Sequence, residues 1–90
     1  MTAYIVTHEI KDTKRLEAVV AHLRSYGFYC PIHQNAYAVV VNKTALQITN
    51  ELNSLISPTI DRLFVIRSGT EAAWIHMYGE KHVDWLKKYL

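Results

Sequence analysis

Cysteine is almost absent from these 90 residues, with Cys30 standing alone. A single thiol excludes an internal disulfide and offers no cysteine template for zinc, and it suits a reducing compartment. Long apolar runs are missing too. No stretch approaches the roughly 20 residues that cross a bilayer, and the first residues lack the charged-then-apolar layout of a secretory signal. A cytoplasmic protein with no membrane partner is the expectation. There is no internal repeat beyond two strand–helix halves, no low-complexity segment and no linker. Charge is sparse: ten Lys and Arg against eight Asp and Glu give +2. That permits nucleic-acid binding without the dense basic patch of a dedicated electrostatic binder.

What the chain does have is apolar residues, half of the total, as in a globular protein. Its length predicts one domain over residues 1–90. A domain this small has a thin core, which oligomerisation would reinforce.

Thr2 to Ile10 reads as a strand, with β-branched Ile5 and Val6 and apolar residues in both alternating sets. Asp12 or Thr13 can cap a following helix, whose stripe is Leu16, Val19, Val20, Leu23 and Tyr26. Gly27 stands where a glycine C-cap belongs. "FYCPIH", Phe28 to His33, is a short strand, and Pro31, which cannot donate to a ladder, places it at a sheet edge. Gln34-Asn35 turns the chain into "AYAVVVN", Ala36 to Asn42, a strong strand. Thr44 caps a second helix with the stripe Ala45, Ile48, Leu52, Leu55 and Ile56, and Ser57-Pro58 ends it. "DRLFVIRS", Asp61 to Ser68, is the last clear strand. "VDWLKKYL" at the end reads as helical. This order predicts an α+β class, ferredoxin-like βαββαβ sandwich with a C-terminal tail or helix.

In that topology both helices cover one face of the sheet, and the other face should be polar if it meets water. It is not. Tyr37, Val39 and Val41 oppose Ala38 and Val40; Phe64 and Ile66 oppose Leu63 and Val65; Tyr4, Val6 and Ile10 oppose Ala3 and Ile5. Both faces are apolar, so something must cover the second. Single-stranded nucleic acid stacked on aromatics is one candidate, although "AYAVVVN" offers only Tyr37 and no glycine. The C-terminal tail, anchored by Trp74 and Trp85, is another. A second copy of the chain is the third. Tail plus partner, sheet facing sheet, is the preferred arrangement, with Val39 or Val41 and residues of the Gly69–Leu90 tail in the homodimer interface.

"YIVTHEI" at Tyr4 to Ile10, "DRLFVI" at Asp61 to Ile66, "AAW" at Ala72 to Trp74 and "DWLKKYL" at Asp84 to Leu90 occur in an order and spacing that resembles the CRISPR-associated protein 2 superfamily, and within it the SinR-like small proteins. The resemblance implies a homodimer formed through the sheets. Some members are described as metal-dependent nucleases whose first strand ends in Tyr-Asp, the aspartate and its dimer mate being the proposed metal ligands. In this sequence those positions fall on His8 and Glu9, and both are departures. Other members are structural DNA-binding subunits, so family does not by itself assign catalysis.

The resemblance therefore makes Glu9 the candidate metal ligand and catalytic acid, for Mg²⁺ or Mn²⁺, hard cations that take oxygen ligands. Against this stands a plain strand-end acid paired with Lys11 or Arg67. His8 is a candidate general base or a residue packed at the sheet edge. Lys11, Lys14 and Arg15 flank the acid at the first helix start, as a phosphate-handling site or an ordinary solvated helix face would have them. His22, His33, His76 and His82 show no close metal spacing, and Cys30 reads as a small buried residue. Lys87 and Lys88 suit the last turn of a helix through its dipole. The expected function is binding or acting on RNA or DNA; whether it acts catalytically is left open by the sequence, and the form catalysis would take is that of a weak metal-dependent endoribonuclease. The alternative is a non-catalytic homodimeric interaction module, a toxin–antitoxin component or scaffold.

Overall fold

The computed structural model describes residues 1–69 and 71–90. Seven elements follow one another: β1 (Thr2–Glu9), α1 (Thr13–Ser25), β2 (Tyr29–His33), β3 (Ala36–Val41), α2 (Ala45–Asn53), β4 (Arg62–Arg67) and α3 (Glu80–Tyr89). The strands form one four-stranded sheet in the order β2-β3-β1-β4, antiparallel at every junction. Pro31 therefore lies on an edge strand, as its missing N–H requires.

Local chemistry sets the boundaries. The Asp12 side chain accepts from Arg15 N at 3.0 Å and caps α1. Gly27, at φ 90°, takes the left-handed turn beyond the helix end that other residues adopt at a cost. Thr44 and Gln47 form a reciprocal capping box on α2: Thr44 Oγ1 accepts from Gln47 N, and Thr44 N donates to Gln47 Oε1.

The sheet alternates as its pleat demands. Tyr4, Val6, Tyr37, Val39 and Val41 meet Val19 and Leu23 of α1 and Ile48 and Leu52 of α2 in the main core. Ile10, Leu55, Ile56, Leu63 and Val65 pack around them. Tyr4 carries its hydroxyl through this layer to donate to Lys43 O at 2.7 Å.

This arrangement corrects the expected dimer interface. Val39 is 0% and Val41 5% exposed, both inside the layer between sheet and helices, where no second chain reaches them. Tyr37 is in the same layer, which removes the aromatic that a stacking surface on β3 would need.

The second face is covered in part, and by the tail. Leu86 of α3 packs with Cys30 and Ala38, and Trp74, Met77, Trp85 and Leu90 close around them with Ile5 and Ile32. Both tryptophans anchor the tail as their positions predicted. The cover lies over β2 and β3. On β4 Phe64 and Ile66 stay 59% and 51% exposed. No helix among the described residues is long and apolar enough to cross a membrane.

Candidate nucleic-acid site at the end of the first strand

Three chain segments meet where β1 ends. Glu9 pairs with Arg62 across the β1–β4 ladder, and His8 pairs with Leu63. The His8 backbone N–H donates to Asn35 O at 2.9 Å, which ties in the β2–β3 turn. The loop before β4 brings Asp61 under the start of α1. Between these segments lies an open depression of about 740 Å³, lined by residues that include Thr7, His8, Glu9, His33, Arg62 and Phe64.

Glu9 is at the rim, with its side chain 50% exposed. Its Oε1 accepts from Arg62 Nη1 at 2.7 Å, and Lys11 Nζ stands 3.7 Å from Oε2. The hydrogen bond from Arg62 and the nearby Lys11 charge hold its pKa below the ordinary value. Pairing with Lys11 was foreseen; the second partner is Arg62, because the register sets Arg67 opposite Tyr4 instead.

His8 is the unusual residue. It is 4% exposed, and neither ring nitrogen meets a hydrogen-bonding group among the described residues. Burial lowers its pKa, and the neighbouring His33 lowers it further, so the ring is neutral, with one donor and one acceptor. A buried polar atom left without a partner costs about 1–3 kcal/mol, so the chain retains a destabilising side chain here. Tyr37 lies against it, ring centroids 6.4 Å apart.

The basic trio divides. Lys11 and Lys14 are exposed. Arg15 turns inward to Asp61, donating from Nε at 2.7 Å and from Nη2 at 3.2 Å. Asp61 also accepts from the backbone N–H groups of Lys11 and Ser57, at 3.0 and 2.9 Å. Its side chain is 0% exposed. Arg15 is the largest cause of its strongly lowered pKa. Asp61 thus pins the end of β1, the start of α1 and the α2–β4 loop together. Arg15 belongs to this latch, and its charge is already matched.

Sequence reading missed Asp61 and Arg62. Asp61 looked like the first residue of a strand, and nothing local marks a carboxylate whose partners lie 46 and 50 positions away. Cys30, by contrast, is 2% exposed, and burial raises its pKa as expected for a packed thiol. A second cluster, also unforeseen, joins the two helices. Glu51 Oε1 accepts from Tyr26 OH and pairs with His22 Nε2, each at 2.8 Å, and Lys43 closes on Oε2. Its role is to clamp α1 to α2 over the main core.

No family model and no curated protein matches the chain. Among solved structures it is similar to the crystal structure of hypothetical protein TT1823 from Thermus thermophilus, with TM-score 0.73 and 17% identity over 84% of this chain and 92% of that one. The likeness supports the fold and carries no activity with it.

Proposed function

We propose that the chain is a small ferredoxin-like protein of the CRISPR-associated protein 2 superfamily, in its SinR-like group, and that it binds nucleic acid as a homodimer. The observation that carries this reading is the end of β1, where exposed Arg62 lines a depression of nucleotide size, Lys11 stands 3.7 Å from the Glu9 carboxylate on its rim, and Lys14 lies in the first turn of α1. The cytoplasm is the compartment that a single buried thiol suits.

Binding is favoured over hydrolysis. Mg²⁺ or Mn²⁺ needs several oxygen ligands, and the donors of one chain do not fit such an ion. Both Glu9 oxygens face cations, and Asp61 is filled by its four hydrogen bonds. Among the described residues no group of three or more His, Cys, Asp or Glu is placed to hold a metal. A metal-dependent endoribonuclease would require a second copy to bring its Glu9 across a two-fold axis.

One observation favours the second reading, a non-catalytic homodimeric interaction module. Ile66 on β4 and Ile75 and Tyr78 in the tail are exposed, at 51%, 92% and 58%, and a second copy would cover such residues.

Fluorescence anisotropy with a labelled single-stranded RNA, run in EDTA and in Mg²⁺ beside sedimentation velocity, tests both readings. Binding by a dimer in EDTA, with the RNA intact, supports the proposal. Fragments that appear only with Mg²⁺ overturn the preference for binding. A dimer that binds no RNA or DNA leaves the interaction module.

A further inference from the structure

β4 is the outer strand of the sheet, and its free edge has a definite hydrogen-bonding pattern. Ser68 N donates to Ala3 O at 2.8 Å, which makes Ala3 and Ser68 a hydrogen-bonded pair. Such pairs alternate along an antiparallel ladder. In the β1–β4 register Arg62, Phe64 and Ile66 therefore turn their backbone groups to β1, and Leu63, Val65 and Arg67 turn theirs outward. No backbone group of another described residue takes up those outward groups. The side chains divide in the same way. Leu63 and Val65 pack against the main core, while Phe64 and Ile66 lie on the opposite face at 59% and 51% exposure. The tail cluster on that face reaches Ile5 but neither of these two. The strand carries no proline and no bulge, and its only charges are Arg62 and Arg67 at its ends. An apolar edge of this kind is a template for another strand.

The register shows which strand fits. Directly opposite residues of an antiparallel pair either both point their backbone groups inward or both point them outward. Two copies of β4 related by a two-fold axis therefore centre on a single residue. Centred on Val65, the pairing sets Phe64 opposite Ile66 of the partner subunit, and Ile66 opposite the partner's Phe64. An aromatic facing a β-branched side chain is a stabilising cross-strand pair. Centred on Phe64, the pairing would set Ile66 opposite an arginine; centred on Ile66, it would set Phe64 opposite Ser68. The Val65 register alone covers both exposed apolar side chains with apolar ones, and it sets no like charges opposite each other. We infer that β4 is the homodimer interface, pairing edge to edge with β4 of a second copy around Val65 to join two four-stranded sheets into one. This rests on the homodimer proposed above and names its interface, an edge where the sequence suggested a face. The partner's Arg67 then stands beside Leu63, which lines the depression at the end of β1, so each site gains a cation from the other copy. Glu9 lies opposite Arg62, one strand in from the interface. Ordinary strand spacings put the two Glu9 residues about 25 Å apart, too far to share a metal ion.

The test compares wild type, Val65→Pro, Val65→Cys and Ile75→Lys by sedimentation velocity, far-UV circular dichroism and thermal melts. Val65→Pro removes an outward N–H and leaves the β1 ladder its donors, as proline on an edge strand can. Cysteines at position 65 would face each other across the axis with Cα atoms about 5.5 Å apart, within reach of a disulfide. Cys30 is buried and does not compete. Ile75, 92% exposed in the tail, is the control for a dimer formed through the covered face. The expected result is a dimer for wild type and Ile75→Lys and a folded monomer for Val65→Pro. Val65→Cys cross-links to a covalent dimer on mild oxidation with diamide. A wild type that stays monomeric overturns the inference and leaves the edge to an extended peptide of another protein. Val65→Pro that still dimerises overturns it too, as does a dimeric Val65→Cys that fails to cross-link. If Val65→Pro does not fold, the cross-link decides alone. Loss of the dimer in Ile75→Lys, with Val65→Pro still dimeric, moves the interface to the tail. An oligonucleotide titration of wild type runs beside these. A dimer that passes them and binds no oligonucleotide refutes the nucleic-acid reading and leaves the β4 interface standing.

Discussion

The guanidinium of Arg15 grips both carboxylate oxygens of Asp61, 46 positions further along the chain. Arg15 leaves the solvated face of α1 to do so, and its charge no longer serves a ligand. Asp61→Asn keeps the shape of the latch, but it leaves the charge of Arg15 unmatched and puts an amide where an acceptor was needed. We expect a clear fall in thermal midpoint. Arg15→Met added to Asp61→Asn should cost much less than the sum of the two single changes, because the residues act as one unit. Thermal melts of the double-mutant cycle check this; strict additivity would show that the pair contributes little.

Glu51 sets an acid limit. Hydrogen bonds from Lys43 first, then His22, hold its pKa down to about 2 from an ordinary 4.5. A carboxylate depressed in the folded state contributes its stability above the unfolded value, and that contribution is lost as pH falls from 4.5 towards 2. Asp61, also depressed, adds loss below its ordinary 3.8. Urea midpoints of wild type should therefore drop across this window, and Glu51→Gln, lower at neutral pH, should drop less steeply. Parallel curves would assign the acid sensitivity elsewhere.

The tail is a structural cover rather than a loose end. Leu86 is 2% exposed against Cys30 and Ala38. Leu86→Ala should cost about 2–5 kcal/mol, the range for deleting a packed leucine side chain. Near-neutral stability in urea unfolding would mean that α3 is not seated on the sheet in solution.

Lys11 and Lys14 are the exposed part of the basic cluster, Lys11 holding only the longer, 3.7 Å contact with Glu9. Neutralising both should reduce the log–log salt slope of single-strand binding by about 0.7 for each phosphate no longer neutralised. Arg15→Gln should instead lower stability and leave that slope nearly unchanged. Equal effects on the slope from all three residues would return Arg15 to the ligand and contradict its place beside Asp61.

The elements were legible because their signals are local. Asp12, Thr44 and Gly27 mark helix ends, and the alternation in "AYAVVV" shows which residues share a face. Trp74 and Trp85 gave the tail's fold-back because two such large apolar groups must be covered. Which face carried which partner was not legible. Val39 and Val41 are as apolar as Ala38 and Val40, and only the helices' position assigns them to the main core. The site was half legible. Glu9 and His8 share a strand end in the sequence itself, whereas Asp61 and Arg62 join them through a ladder and a loop that close late in the chain.

Glu9 is where the metal question is decided. It is half-exposed and already neutralised by Arg62 and Lys11. In an isolated chain the charged neighbours of Glu9 among the described residues are the cations Arg62 and Lys11, which leave no carboxylate repulsion for a metal to relieve. Mg²⁺ or Mn²⁺ should then leave the thermal midpoint of wild type where it is, and Glu9→Gln, removing only a surface pair, should change stability little. A dimer that set two Glu9 carboxylates together would behave otherwise. Each would raise the other's cost of ionising, a divalent ion would stabilise the folded assembly by mass action, and Glu9→Gln would be the more stable protein without metal and indifferent to it. Thermal melts of both proteins, with and without the ions, separate the cases. The salt bridges around Glu9 predict flat metal curves for both; a metal-dependent rise in wild type that Glu9→Gln abolishes would restore Glu9 as a ligand and hydrolysis as the leading function.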